Sequence, residues 1–352
     1  MRVFSGYTLG FICVHRCSSV VTSCLSSNML VEFPGFFDLQ VNGFAGVDFN
    51  SPGCTPEQLK HAVDALGKTG VTQFLPTLIT SSFERFSSCA RALVDFPVAA
   101  IAGIHMEGPY ISPQDGPRGA HPRRYGLEAS IDDFKRRQDV ARGRIVLVTL
   151  APEVAGAIRL IEYLVESNVR VAIGHTAATP EQIRDAVRAG ATLSTHLGNG
   201  CAQTVARHPN FIWEQLAADD LLASFIVDGH HLPPATVKAM MRAKTPARSI
   251  LVTDATAAAG CAPGFYMIGE ERVELTAEGR VSAPGATNLA GSALAMNTAV
   301  GNAVRFTGLA LDEILQMAST LPARYLGLEP SGRVSADWDE INCSLSVRDI
   351  SD

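Results

Sequence analysis

Two histidines are the first residues in this chain whose types and spacing could do chemistry. His175 closes the apolar run Val169-Arg170-Val171-Ala172-Ile173-Gly174, and His196 closes a second run, Ala191-Thr192-Leu193-Ser194-Thr195. Between them Thr179 and Pro180 open a helix-like segment that Gly190 stops. A strand–helix–strand unit of this kind lays its two strands parallel. Both imidazoles then stand at the same end of neighbouring strands, within reach of one metal ion. Either histidine alone reads equally as a polar residue of a strand-to-helix loop; the matched placement favours the metal. Glu107, at the end of the apolar stretch 98–106, adds a carboxylate. Two imidazole nitrogens and one carboxylate oxygen suit one divalent ion per chain, zinc by preference, with a fourth position left for water. A divalent ion brings the pKa of such a water toward neutrality. Asp254, at the end of the stretch 249–253, is the candidate general base, taking a proton from water and passing it to a leaving amine. Its structural alternative is the cap of a following turn.

The elements that must hold these residues follow a regular alternation. Apolar stretches at 33–41, 71–78, 98–106, 144–150, 169–174, 191–195, 222–227 and 249–253 read as strands. Helical patterns at 55–66, 82–94, 130–141, 153–167, 179–189, 213–219 and 234–242 separate them. Eight such units predict a closed (β/α)8 barrel, with an open doubly wound sheet as the alternative. The polar candidates fall after strands one, three, five, six, seven and eight. A barrel gathers all of these ends at one mouth, which favours it. A Gly/Pro-rich loop at 112–124 carries His121, and loops of this length are usually functional. Beyond the barrel, 266–281 reads as short strands around Gly269 and Gly279, 297–306 and 312–323 as helices, and 333–347 as two strands.

Composition narrows the partners. The 352 residues are 47% hydrophobic and 18% charged, as in a soluble globular protein with a large interior. A net charge of −6 without a Lys/Arg stripe argues against nucleic acid. Apolar runs are too short and interrupted for a membrane span. Eight cysteines without a C-x-x-C pair read as reduced thiols of a cytoplasmic protein. Residues 1–32 stand apart, rich in Ser, Cys and Val with no acid before Glu32, and read as a remnant strand or a targeting segment. The expected layout is that segment, a barrel over 33–328, and a β tail over 329–352.

Six stretches occur in a telling order: Pro34-Gly35-Phe36-Phe37-Asp38-Leu39-Gln40-Val41-Asn42-Gly43, His105-Met106-Glu107-Gly108-Pro109, Gly174-His175-Thr176, Thr195-His196-Leu197-Gly198-Asn199, Asp228-Gly229-His230-His231 and Thr253-Asp254-Ala255-Thr256. Together they resemble the N-acetylglucosamine-6-phosphate deacetylases of the amidohydrolase superfamily, over about residues 33–328. The resemblance implies a (β/α)8 barrel with a small β-sandwich drawn from both chain ends, of which this chain carries only short pieces. It implies hydrolysis of the acetamide of N-acetylglucosamine 6-phosphate to acetate and glucosamine 6-phosphate. Other N-acetyl sugars, the galactosamine isomer or an unphosphorylated one, and a non-catalytic sugar-phosphate binder are the alternatives. It places Glu107, His175 and His196 on the metal, Asp254 as acid/base and His121 beside the substrate carbonyl. It places Asn199, Gly200, Arg207 and His231 near the phosphate, with Arg207 reaching a partner subunit's site in a homodimer. Gln40 and Asn42, which count with these among the expected substrate-binding residues, stand where many amidohydrolases carry His-x-His, so a second metal lacks its nitrogen ligands. The family usually has Asn-Ala-Met where this chain has Asn199-Gly200-Cys201.

Overall fold

The computed structural model of the protein describes residues 28–96, 98–286 and 288–351. Eight short stretches, buried at nearly every position, hydrogen-bond side by side and all run the same way: Phe36–Val41, Val71–Ile79, Ile104–Glu107, Ile145–Leu150, Arg170–Ile173, Leu193–Ser194, Leu222–Ile226 and Ser249–Val252. Below they are strands one to eight. Being buried on both faces, they read as unbroken apolar runs rather than alternating ones. Helices follow most strands and cover the outside of the ring.

Strand eight meets strand one through side chains as much as through backbone. The Asp38 carboxylate accepts the Thr253 hydroxyl at 2.6 Å and the Gln40 and Thr253 amides at 3.1 and 3.3 Å. Just beyond, the Asn42 amide donates to the Ala255 carbonyl at 2.7 Å, and Val41 bridges Ala255 in parallel. The eight strands therefore form a nearly closed barrel, as the alternation predicts.

Among the described residues three smaller sheets accompany it, the smallest being the antiparallel pair Gly43–Phe44 and Val47–Asp48. Asn28–Pro34 pairs antiparallel with Arg333–Asp339, which pairs with Ser344–Ser351, so both chain ends build one three-stranded sheet. Gly264–Ile268, Glu271–Leu275 and Val281–Ser282 form an antiparallel meander after strand eight, turning at Gly269 (φ 57°) and Gly279 (φ 85°) as expected. The expected segment 1–32 lies outside the described residues up to 27; its remainder belongs to the chain-end strand.

Several expected elements change their limits, four of them with a visible local cause or consequence. Strand three begins at Ile104 rather than 98; before it, Ile101 forms an isolated bridge with Phe74 of strand two. The helix expected from 153 starts at Ala157, because the Glu153 carboxylate is held by the Thr176 hydroxyl and the Ala177 amide, both at 2.6 Å, and Gly156 is left-handed (φ 82°). The helix expected at 213–219 is Phe211–Ala217, capped by Asn210, whose side chain accepts the Ile212 and Trp213 amides. The helix expected at 312–323 is two, Leu311–Ala318 and Thr320–Tyr325. Pro322 has no N–H for the Ala318 carbonyl and its ring would strike that group, so the chain breaks at Ser319.

Candidate active site

All the strand ends that carry polar candidates open into one cavity of about 1130 Å³. Glu107 ends strand three, and its Oε1 lies 3.1 Å from His196 Nε2 and 3.2 Å from His175 Nε2. The three ligand-type atoms lie within 4.8 Å of one another and all three residues are buried. His121 descends from the 112–124 loop and sets its Nε2 3.6 Å from Glu107 Oε2. Its ring stands 4.3 Å from that of His175, centroid to centroid.

Local backbone geometry turns these side chains inward. His175, His196 and Asp254 have φ of 50°, 30° and 49°, in the sparsely populated left-handed region. Each non-glycine residue held there costs on the order of 1–3 kcal/mol, and such strain clusters at functional sites. Two glycines make the room. A Cβ on Gly108 (φ 75°) would sit 2.2 Å from Thr80 Oγ1, and one on Gly200 (φ 54°) 2.8 Å from His175 Nδ1. Gly200, the departure from Asn-Ala-Met, is therefore what clears the His175 ring here.

The donor set fits a cation. His175 Nδ1 lies 3.0 Å from the Pro117 carbonyl, which requires the ring proton on Nδ1. Nε2 faces Glu107 Oε1 at 3.2 Å, so a proton or a cation must lie between them; with no cation there, burial pushes His175 down, but the charge and hydrogen bond of Glu107 outweigh it and raise the ring above the ordinary histidine range. Glu107 itself is held well below the usual carboxylate range: burial pushes it up, but the charge of His175 and hydrogen bonds from His121, His175 and His196 outweigh that. Burial, helped by the charge of His175, pushes His121 down to about 4, so it is neutral, with Thr80 Oγ1 2.8 Å from its Nδ1.

Asp254 occupies the opposite wall. Gln40 Nε2 and Asn42 Nδ2 donate to its Oδ1 at 3.1 and 2.7 Å, and Gln40 Nε2 also reaches Glu107 Oε1 at 2.9 Å. The Gln40 amide thus links the two carboxylates from the side where a second metal would need nitrogen ligands. Burial, then the charge of Glu107, pushes Asp254 up to about 6 against the pull of His196, His231 and the Asn42 bond. Among the described residues its Oδ2 has no protein donor.

Asn42, Asn199, Gly200 and His231 line the same cavity. Gln40 lies just behind it. Arg207 does not line it: its side chain is exposed, and Asp219, the acid a surface arginine there would favour, pairs with Arg248 at 3.0 Å. Sequence reasoning missed Thr80, which directly follows strand two, the one strand end before strand four that had been assigned no polar candidate. It also missed a buried layer beneath Glu107, in which His105 Nε2 meets Thr149 Oγ1 at 2.8 Å and Thr149 meets Thr195 at 2.7 Å. The roof formed by the 264–275 hairpin was legible only as strands. Its tip is pinned by Glu270 to Arg85 and Arg124, and by the Gly269 amide to Asp48 Oδ2 at 2.7 Å.

A barrel with its polar groups gathered at the strand ends and a buried His-His-Glu set defines a hydrolase of the metal-dependent kind. Residues 31–339 match the amidohydrolase family, and the chain belongs to it. An N-acetylglucosamine-6-phosphate deacetylase of Bos taurus is 35% identical over 343 residues, covering 90% of this chain and 80% of the relative. An N-acetylgalactosamine-6-phosphate deacetylase of Escherichia coli O157:H7 is 34% identical over 301 residues, covering 84% and 78%. The crystal structure of the N-acetyl-D-glucosamine-6-phosphate deacetylase from Mycobacterium smegmatis superposes with a TM-score of 0.84 at 30% identity, over 92% of this chain and 86% of that one.

Proposed function

We propose that the protein hydrolyses the acetamide of N-acetylglucosamine 6-phosphate, releasing acetate and glucosamine 6-phosphate. The observation that carries this reading is one cavity with Glu107, His175 and His196 on one wall and Asp254, with an unengaged Oδ2, on the other. Glu107, His175 and His196 would hold one divalent ion, zinc on the preference of an N/N/O donor set. When bound, that ion supplies Lewis-acid polarisation and lowers the pKa of water. The chain's own groups do the rest. Gln40 and Asn42 hold Asp254 Oδ1, so Oδ2 takes a proton from the attacking water and returns it to the departing nitrogen as the C–N bond breaks. His121, neutral and fixed by Thr80, stands ready as a donor toward charge developing on the carbonyl oxygen. Asn199, Gly200 and His231 take the phosphate end.

Three further parts of this reading go with it. Arg207, exposed and near the half-exposed Trp213 in sequence, serves a neighbouring subunit of a homodimer. The chain divides into a segment over 1–32, a barrel over 33–328 and a tail over 329–352. The cytoplasm is its compartment, which accords with free cysteines at 54, 89, 201, 261 and 343 and with the lack, among the described residues, of a helix long and apolar enough to cross a membrane. The similarity to a galactosamine-type deacetylase supports the C4 epimer as a second substrate. An amine-release assay across N-acetyl sugars, with and without the 6-phosphate, tests the reading. Fastest release from the glucosamine phosphate is expected, and no release from any of them would end it.

A further inference from the structure

The loop after strand seven contains a carboxylate that the reaction as described does not use. Asp228 Oδ1 accepts the backbone amides of His230 and His231, both at 2.8 Å, closing a turn around Gly229 (φ 81°). Its second oxygen, Oδ2, lies 2.6 Å from His231 Nδ1. Each side chain is only 8% exposed. One carboxylate thus shapes the loop with one oxygen and grips the ring with the other. His231 lines the cavity and lies close enough to influence Asp254 by charge, while among the described residues its Nε2 has no protein partner.

We propose that Asp228 is a positioning residue that acts through His231, fixing the proton on Nδ1 and the rotation of the ring so that Nε2 is the atom presented to the substrate. A carboxylate accepts only, so the nitrogen facing it must be the N–H. Burial pushes Asp228 up, but the hydrogen bond and charge of His231 and the two backbone amides outweigh it and hold the group below the ordinary carboxylate range. It therefore stays ionised at neutral pH. With Nδ1–H committed, Nε2 shares a proton with whatever the substrate offers there. A phosphate oxygen suits it in either direction, since the phosphate's second ionisation falls near pH 6 and the proton can sit on either partner. This assignment of the ligand rests on the sugar-phosphate reading given above; the assignment of the tautomer does not.

Asp228→Asn separates the two jobs of the carboxylate. The amide oxygen can still accept both backbone N–H groups, while its NH2 now faces Nδ1 and forces the proton to Nε2. Nitrogen-15 NMR of the ring in the free protein, at about pH 9 and above the ordinary histidine range, should show Nδ1–H in the natural chain and Nε2–H in Asp228→Asn. With N-acetylglucosamine 6-phosphate, Asp228→Asn should raise KM roughly tenfold, the size of a lost charge-assisted contact, with kcat changed far less. His231→Ala should do the same, and the double variant should be no worse than His231→Ala alone. A natural ring protonated on Nε2, or KM effects that multiply in the double variant, would overturn the proposal. If Asp228→Asn does not fold, the tautomer of the natural ring decides alone. A chain that releases no acetate from any amino sugar phosphate defeats the proposed function, and the tautomer measurement still rules on this one.

Discussion

On one wall of the cavity Glu107 sits among three imidazoles and is held well below the usual carboxylate range; on the other Asp254, just as buried, is pushed up to about 6. Burial acts upward on both, so the neighbours decide. Glu107 faces ring nitrogens on three sides, and Asp254 faces two neutral amides and the negative Glu107 itself. Asp38, deeper in the same seam and held by Thr253 and Gln40, is pushed up further, to about 7, by burial. One wall is thus built to keep a negative charge and attract a positive one, and the other to let a proton come and go. Acid–base assignments follow when environments drive like groups apart in this way.

Breaking the first wall should have the largest effect. His196→Ala leaves two protein ligands, so bound metal should fall far below one per chain and turnover drop to background; full occupancy by elemental analysis would refute the assignment. Breaking the second wall should spare the metal. Asp254→Asn keeps its shape and loses its base, and turnover should fall by roughly 10²-fold or more with metal retained. Near-normal turnover in the metal-loaded variant would place the base elsewhere.

The pH profile sharpens the contrast. Asp254 works deprotonated, so kcat should be lost as pH falls through its pKa, which burial and the charge of Glu107 raise to about 6 and which a cation on the facing wall would bring below that. The Asn42 bond favours the charged form, so Asn42→Ala should raise that pKa and move the acid limb upward by roughly one pH unit. A limb that stays put or moves down would mean Asn42 does not tune the base. Gly200→Ala should act most mildly, on the first wall and not on the second. A Cβ pressed on His175 at a left-handed φ should cost about 1–3 kcal/mol, seen as a lower Tm and weaker metal binding with an unchanged acid limb. An unaltered metal titration would show that the ring has room.

The three ligand-type residues of the first wall, Glu107, His175 and His196, were legible in the sequence because each ends an apolar run, and the barrel topology converts that into proximity. The seam was legible only in its endpoints. Gln40 and Asn42 read as residues that fail to bind a second metal, whereas both donate to Asp254 and Gln40 also joins it to Glu107. Asp38 looked like one more polar residue near a strand end, since nothing in a linear sequence shows that strand one closes on strand eight. Thr80 and His105 were hidden for the same reason: their partners lie 41 and 44 residues away. Pro322 was a visible signal, and the break at Ser319 could have been placed from it.

The hairpin over the cavity has a consequence of another kind. It springs from the chain after the last barrel strand and hangs over the mouth, held to the rim by Glu270 and Gly269 rather than by the strand ladder. Its length and sequence can therefore drift without disturbing the register of any barrel strand. In such a layout the eight strands hold the reacting groups, while the flap shapes the entrance through Ile268, Glu270, Glu271 and Val273.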